Sequence, residues 1–216
     1  SGSIGLGARE DLLSEMIELE AQKAALELKQ GNLVLSAVSE RAKSQGVDSV
    51  RAMQRHGALT ETLAEFEEQM RVLVIGRQGE AHETFSDAIG SHIESVIRTL
   101  HKPVLVVAEG WAKPQQFMLA YDGSNTADKA LEMVSQSSLL QGLSCHLVAV
   151  RTLSLPTIDN ALQIAATRLR NANFSVTAAI VDGSVADALV SYQQDQAIDL
   201  TIMAVSYTHL TLPTTD

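Results

Sequence analysis

The feature of this chain that most limits its fold is that it pairs with itself. At an offset of 126, Ser49-Val50 aligns with Ser175-Val176, Gly57 with Gly183, Leu63 with Leu189 and Phe66 with Tyr192. Past a two-residue insertion the offset becomes 128, and Val72 aligns with Leu200, Val74 with Ile202 and Gly76 with Ala204. Self-similarity at a fixed spacing is the mark of one unit used twice. On this register the first copy is expected to lack an opening strand, helix and second strand, and the second copy a closing helix and last strand. The expected plan is a first domain over 1–109, a linker over 110–115 and a second domain over 116–205. The linker, GWAKPQ, breaks both the helical and the strand period with Gly and Pro. The last eleven residues, SYTHLTLPTTD, match nothing in the first copy and read as a non-native tail over 206–216.

Hydrophobic spacing predicts the elements inside each copy. Leu13, Met16, Ile17, Ala24, Leu28, Leu35 and Val38 recur at near-helical intervals between charged residues, predicting one long helix over 11–42 or a pair kinked at Gly31. A short strand is expected at Ser49–Met53, a helix at Thr60–Gln69, and at Arg71–Ile75 (RVLVI) a strand buried on both faces. A helix over Ser86–Leu100 and a strand at Val104–Val107 close the copy. The second copy predicts strands at Phe117–Tyr121, His146–Val150, Val176–Val181 and Leu200–Val205. Helices are expected between them at Thr126–Ser138, Ile158–Ala172 and Val185–Gln194. Alternation of short apolar runs with helices means parallel βαβ units. The fold class expected is therefore α/β, with two Rossmann-like doubly wound parallel sheets, each incomplete.

Charge narrows the partners. The formal net charge is -10, shared by both halves, and no basic block exists that could neutralise a row of phosphates, so nucleic acid is not an expected partner. A nucleotide is still allowed, because backbone N–H groups at a helix start hold phosphate without Lys or Arg. Cys145 is the single cysteine and lies in an apolar run, where a buried, inert thiol is expected. No run has the roughly 18 apolar residues of a membrane span, and the first residues lack a signal-like pattern, so a cytoplasmic location is expected. The six methionines read as core filler, and Glu65, Glu67 and Glu68 as a wet helix face. His82 and His92 have no third ligand at metal spacing, so no metal site is assigned to them.

The residues with chemical promise sit where strands end. RVLVI runs into Gly76, Arg77, Gln78 and Gly79, and Gly90-Ser91 follow in a helix-forming segment. Glycines at the carboxyl end of a parallel strand let the backbone approach a ligand in the crevice where open α/β sheets bind. A serine beside them offers a hydroxyl to a phosphate oxygen. GRQG followed by GS is similar to the closing nucleotide motif of the universal stress protein family, with a spacer, EAHETFSDAI, one residue longer than that family's usual nine. PVLVV resembles the family's last strand, and FMLAYDGSNTADKALEMV resembles its first strand, Asp-Gly-Ser turn and first helix. The resemblance covers about residues 8–204 and implies an adenine nucleotide α-hydrolase-like fold in each copy.

By that resemblance Gly76, Gly79, Gly90 and Ser91 would cradle phosphate, Asp122 would lie near ribose and metal-phosphate, and the Val150 backbone would meet adenine. The implied cofactor is ATP, with Mg2+, and the implied partners are an adenine nucleotide and a second copy or regulatory protein. Because the phosphate loop falls on one copy and the Asp and adenine half on the other, this chain is expected to bind ATP weakly or not at all. No nucleophile and base stand together, so at most slow, metal-dependent ATP hydrolysis is expected, with Asp122 as the acid. The functional expectation is an ATP-binding or ATP-sensing stress-response module acting through dimerisation. A nucleotide-free dimerising regulator of the same fold is the alternative. A hydrolase-type enzyme would need a glycine-rich loop where this chain reads AYDGSNTAD.

Overall fold

The structure is a computed structural model, and it describes residues 6–76, 86–107, 110–151 and 158–204, with the side chains of 6–8, 10 and 86–92 outside the description. The described residues fall into two compact units, one drawn from 1–73 and 85–105, the other from 74–84 and 106–216. Gly79, His82 and the 206–216 tail lie outside the described residues.

The first unit begins with one helix, α1 (Leu6–Ser44), followed by α2 (Leu59–Phe66) and a short 3-10 turn at Glu67–Gln69. Next come β1 (Leu73–Gly76), α3 (Ser86–Thr99) and β2 (Val104–Val107), with β1 and β2 paired in a two-stranded sheet whose residues 74–76 and 106–107 group with the second unit. Gly31 does not break α1. A single helical glycine costs only about 1 kcal/mol against alanine, and the strong helix formers on either side outweigh that. Two other expectations fail here. Ser49–Met53 forms no strand, because a strand needs a ladder partner and the helix before it offers none. The strand at Leu73–Gly76 is open on one side, with Val74 exposed, since a two-stranded sheet cannot cover both faces.

Two smaller readings also change. Glu67 is not part of a wet face: its carboxylate accepts the His101 N–H. Met16, Met53, Met133 and Met203 are exposed, and Met118 is the fully buried methionine among the described residues. A thioether at an apolar-looking position fills a core only where the fold places a second layer over it.

The second unit realises the predicted alternation. Its elements are β3 (Gln116–Ala120), α4 (Asn125–Ser135), β4 (Ser144–Arg151), α5 (Ile158–Asn171), β5 (Ser175–Asp182), α6 (Val185–Asp195) and β6 (Leu200–Ile202). The four strands form a sheet in the order β5-β4-β3-β6, all parallel, with Ala120 opposite Val148 and Val150 opposite Val181. Alternate side chains of each strand serve opposite faces. Phe117, Leu119, Cys145 and Leu147 meet Leu131 and Val134 of α4 and Leu162, Ala165 and Leu169 of α5. Met118, Val148 and Val150 meet Leu189 of α6 and Ile198 on the other face. Strands β3 and β4 are therefore buried on both faces, as their continuous apolar runs require. Cys145 is buried as expected, and burial pushes its thiol up to about 12.

Side-chain caps hold the helices of this unit in register. Ser124 Oγ accepts the Ala127 N–H at 3.1 Å to start α4, and Ser184 Oγ accepts the Asp187 N–H at 3.4 Å to start α6. At the sheet's opening edge, Asp199 accepts the N–H groups of Gln115 and Gln116 at 2.8 and 3.1 Å. That pair ties the start of β3 to the turn before β6. Across the sheet, Tyr192 Oη and His146 Nδ1 share a hydrogen bond at 2.9 Å, which fastens α6 to β4.

Candidate functional site

Strand order decides where a ligand could sit. From β3 the chain adds β4 and β5 on one side and then returns to place β6 on the other, so the order reverses at β3. A crevice opens at the carboxyl ends of the strands at such a reversal. Asp122 leaves β3 at that rim. The register pairs Ala120, the last residue of β3, with Val148; Asp122 follows two residues beyond that strand end and Val150 lies two residues further along β4. The structure thus brings these two predicted residues to the same rim of adjacent strands.

The turn after β3 is tightly specified. Asp122 Oδ1 accepts the Ser124 N–H at 2.9 Å, a side-chain turn that short acidic residues favour. Gly123 has φ +76, and a Cβ there would come within 3.3 Å of the Ile158 Cδ1. Only glycine satisfies both the left-handed backbone and the close approach of α5. Ser124 then caps α4, whose N-terminus carries the positive end of the helix dipole. One oxygen of Asp122 is engaged in shaping its own turn, while the residue as a whole remains exposed.

Other residues at this rim escaped the sequence reading. Arg151, at the end of β4, lies 3.8 Å from Asp159 and 3.6 Å from Asp182. A lone arginine joined to aspartates far along the chain carries no local signal, and only the parallel register brings Asp182 beside it. Below the rim, the Tyr121 hydroxyl donates to Asp128 Oδ1 at 3.0 Å, and Arg168 reaches the same oxygen at 3.4 Å. Burial and the donation to Asp128 push the Tyr121 phenol up to about 12. That network couples the residue before Asp122 to α4 and α5.

Gly76 is the last residue of β1, and Gly79 lies outside the described residues. Gly90 and Ser91 stand in the second turn of α3, which starts at Ser86. The amides unpaired at a helix start belong to its first four residues, so the backbone donors of this helix precede the Gly-Ser pair. Among the described residues no three His, Cys, Asp or Glu side chains gather as a metal site. Likewise, no described helix is long and apolar enough to cross a membrane.

The second unit is an α/β fold with a doubly wound parallel sheet, and comparison with known proteins narrows the class. A family model described as the universal stress protein family matches residues 4–108. "Universal stress protein Slr1230" of Synechocystis is 34% identical over 204 residues, which cover 94% of this chain and 71% of the relative. The chain belongs to the universal stress protein family. A universal stress protein of Archaeoglobus fulgidus superposes with a TM-score of 0.67 at 19% identity, covering 81% of this chain. That likeness speaks for the fold, which is the adenine nucleotide α-hydrolase-like type. This chain spans 64% of the archaeal protein's length, just under two thirds.

Proposed function

We propose that this chain is part of an ATP-binding or ATP-sensing stress-response protein whose second unit carries the adenine and ribose half of a nucleotide site. The observation that carries this reading is the rim at the strand reversal, where Asp122, the capped start of α4 and Val150 come together. The Val150 backbone at the end of β4 offers edge groups to a base, and Asp122 offers a carboxylate to ribose or to a phosphate-bound cation. The residues present fit an adenine nucleotide in part. Asp122, Asp159 and Asp182 stand at this rim against Arg151 alone among the paired groups, so a polyphosphate would need its charge offset by Mg2+. Gly76 at the end of β1, Gly79 after it, and Gly90 and Ser91 of α3 are proposed to cradle phosphate in the first domain. We assign the protein no fast turnover, a cytoplasmic location and self-association or a regulatory protein partner.

One observation favours a second reading, a nucleotide-free dimerising regulator of the same fold. Asp122 Oδ1 and Ser124 Oγ are both engaged in building their own turn and cap. Calorimetric titration with Mg-ATP separates the two readings. Binding that is lost in Asp122→Ala but kept in Gly76→Ala/Gly79→Ala assigns the second unit, and the reverse pattern assigns the first. No heat and no ATP-dependent shift in melting temperature leaves the regulator reading standing.

A further inference from the structure

Four leucines of α1 repeat at a fixed interval. Leu12, Leu19, Leu26 and Leu33 stand seven residues apart, and all are more than half exposed, with Leu12 the least open at 55%. Met16, Lys23 and Gln30 lie between them and complete the alternation of four- and three-residue steps. On a helix of 3.6 residues per turn that spacing makes a nearly straight row, the pattern of a coiled-coil seam. An apolar row left open to water over this length marks an interaction surface.

The row is not the side that α1 turns to its own unit. Leu35 lines a groove with Ala52 and Gln54, and a Cβ on Gly31 would strike the Gln54 side chain. Gly31 and Leu35 each stand two residues from Leu33, about 200° around the helix, so they lie on its far side. The second unit agrees. At an offset of 127 the two helices end in the same hydrogen bonds: Gln45 N–H donates to the Arg41 and Ala42 carbonyls as Ala172 N–H does to Arg168 and Leu169. That register lays Leu35 over the buried Leu162 and Leu33 over Asn160, which is exposed. The residues of α1 before Gly31 match nothing in α5, which begins at Ile158.

We propose that the row over 12–33 is the seam of an antiparallel two-helix coiled coil between two copies of this chain. Charge selects both the occupant and its direction. Residues 11–20 carry Asp11, Glu15, Glu18 and Glu20 and no base, whereas over 21–44 Lys23, Lys29, Arg41 and Lys43 outnumber Glu27 and Glu40. A helix built this way is complementary to a reversed copy of itself. With Met16 opposite Leu26 of the second copy, Leu12 meets Gln30, and Leu19 meets the stem of Lys23, whose ammonium reaches the adjoining Glu20. Glu15 comes beside Lys29, and the two-fold axis makes every pair twice. Parallel helices would instead set Lys23 against Lys23 and Glu15 against Glu20. Within its own chain Lys23 lies 3.9 Å from Glu27, an exposed pair that competes little with a contact drawn out of water. The seam gives the self-association assigned above a surface and depends on no nucleotide.

Sedimentation equilibrium of the full chain without nucleotide tests this. The expected result is a dimer that dissociates on dilution. Leu19→Asp/Leu26→Asp should leave a monomer, with amide hydrogen exchange in α5 unchanged as the folding control. Glu15→Lys and Lys29→Glu, each alone, should weaken the dimer at least about tenfold, because each turns an attraction into a repulsion twice over. Combined in one chain they should restore it to within about threefold. A chain that stays monomeric at about 100 µM overturns the proposal. So does a dimer indifferent to Leu19→Asp/Leu26→Asp, which would leave self-association standing on another surface. Tighter association in Glu15→Lys would mean parallel helices and overturns it equally. Since no nucleotide is present, none of these failures bears on the site at Asp122.

Discussion

Leu162 in α5 and Leu35 in α1 occupy the same place in two helices that end with the same hydrogen bonds, yet one is sealed and the other half-open. What separates them is the layer that lies across each helix. In the second unit a four-stranded parallel sheet and α4 close over α5, while beside Leu35 of α1 lie Ala52 and Gln54 of the segment that follows it, and Val38 is 59% exposed. Identical local geometry therefore gives very different burial, and burial supplies the larger share of the free energy.

The largest expected effect breaks that pair apart. Leu162→Ala should lower the stability of the second unit by about 3 kcal/mol, the range for a leucine removed from a closed core, whereas Leu35→Ala should cost under about 1 kcal/mol. Urea unfolding followed by site-resolved hydrogen exchange measures both, and equal losses would mean that α1 is covered after all.

A second comparison tests the register of the two copies. Gly57 and Gly183 have φ +118 and +128, each one residue before the N-cap of a helix. Side chains rarely adopt that region, so Gly57→Ala and Gly183→Ala should each destabilise their own unit by about 1–2 kcal/mol. A cost at one site only would show that the shared backbone is incidental in the other copy.

Capping distinguishes the copies at the next residue. Ser184 caps α6, whereas Ala58, its counterpart, gives α2 no side-chain cap. Ser184→Ala should cost about 1 kcal/mol and Ala58→Ser should add a similar amount to α2. Thermal melts with exchange rates in α2 and α6 read the two changes separately.

The smallest expected effect is a pH dependence confined to the second unit. Burial holds the His146 imidazole below its ordinary 6.5, so the unfolded chain takes up the proton first as pH falls. The contribution of the neutral ring is complete above about pH 6.5 and declines as pH drops below it toward the folded value. His146→Phe should flatten the urea midpoint of this unit between pH 7.5 and 5.5. Tyr192→Phe removes the hydroxyl that His146 Nδ1 meets and should lower that midpoint at pH 7.5.

Much of the second unit was legible from residue order. Periods of two and of 3.6 placed β3 to β6 and α4 to α6 within a few residues, and the apolar runs at Phe117 and Leu147 marked the doubly buried strands. The Asp-Gly-Ser turn was also visible, because a strand that ends in Asp-Gly leaves a local signature, whereas Val150 was reached only through the family resemblance. Arg151 between Asp159 and Asp182 was not, since ion pairs across neighbouring strands depend on register.

Sequence by itself determined which side chains share a face and where helices stop. Only tertiary structure decided that Ser175–Asp182 becomes a strand while Ser49–Met53 does not, and that Met118 is buried while Met53 is exposed. The reason is physical: periodicity is a property of one segment, but a ladder of hydrogen bonds and a closed apolar layer each require a second segment to be in place.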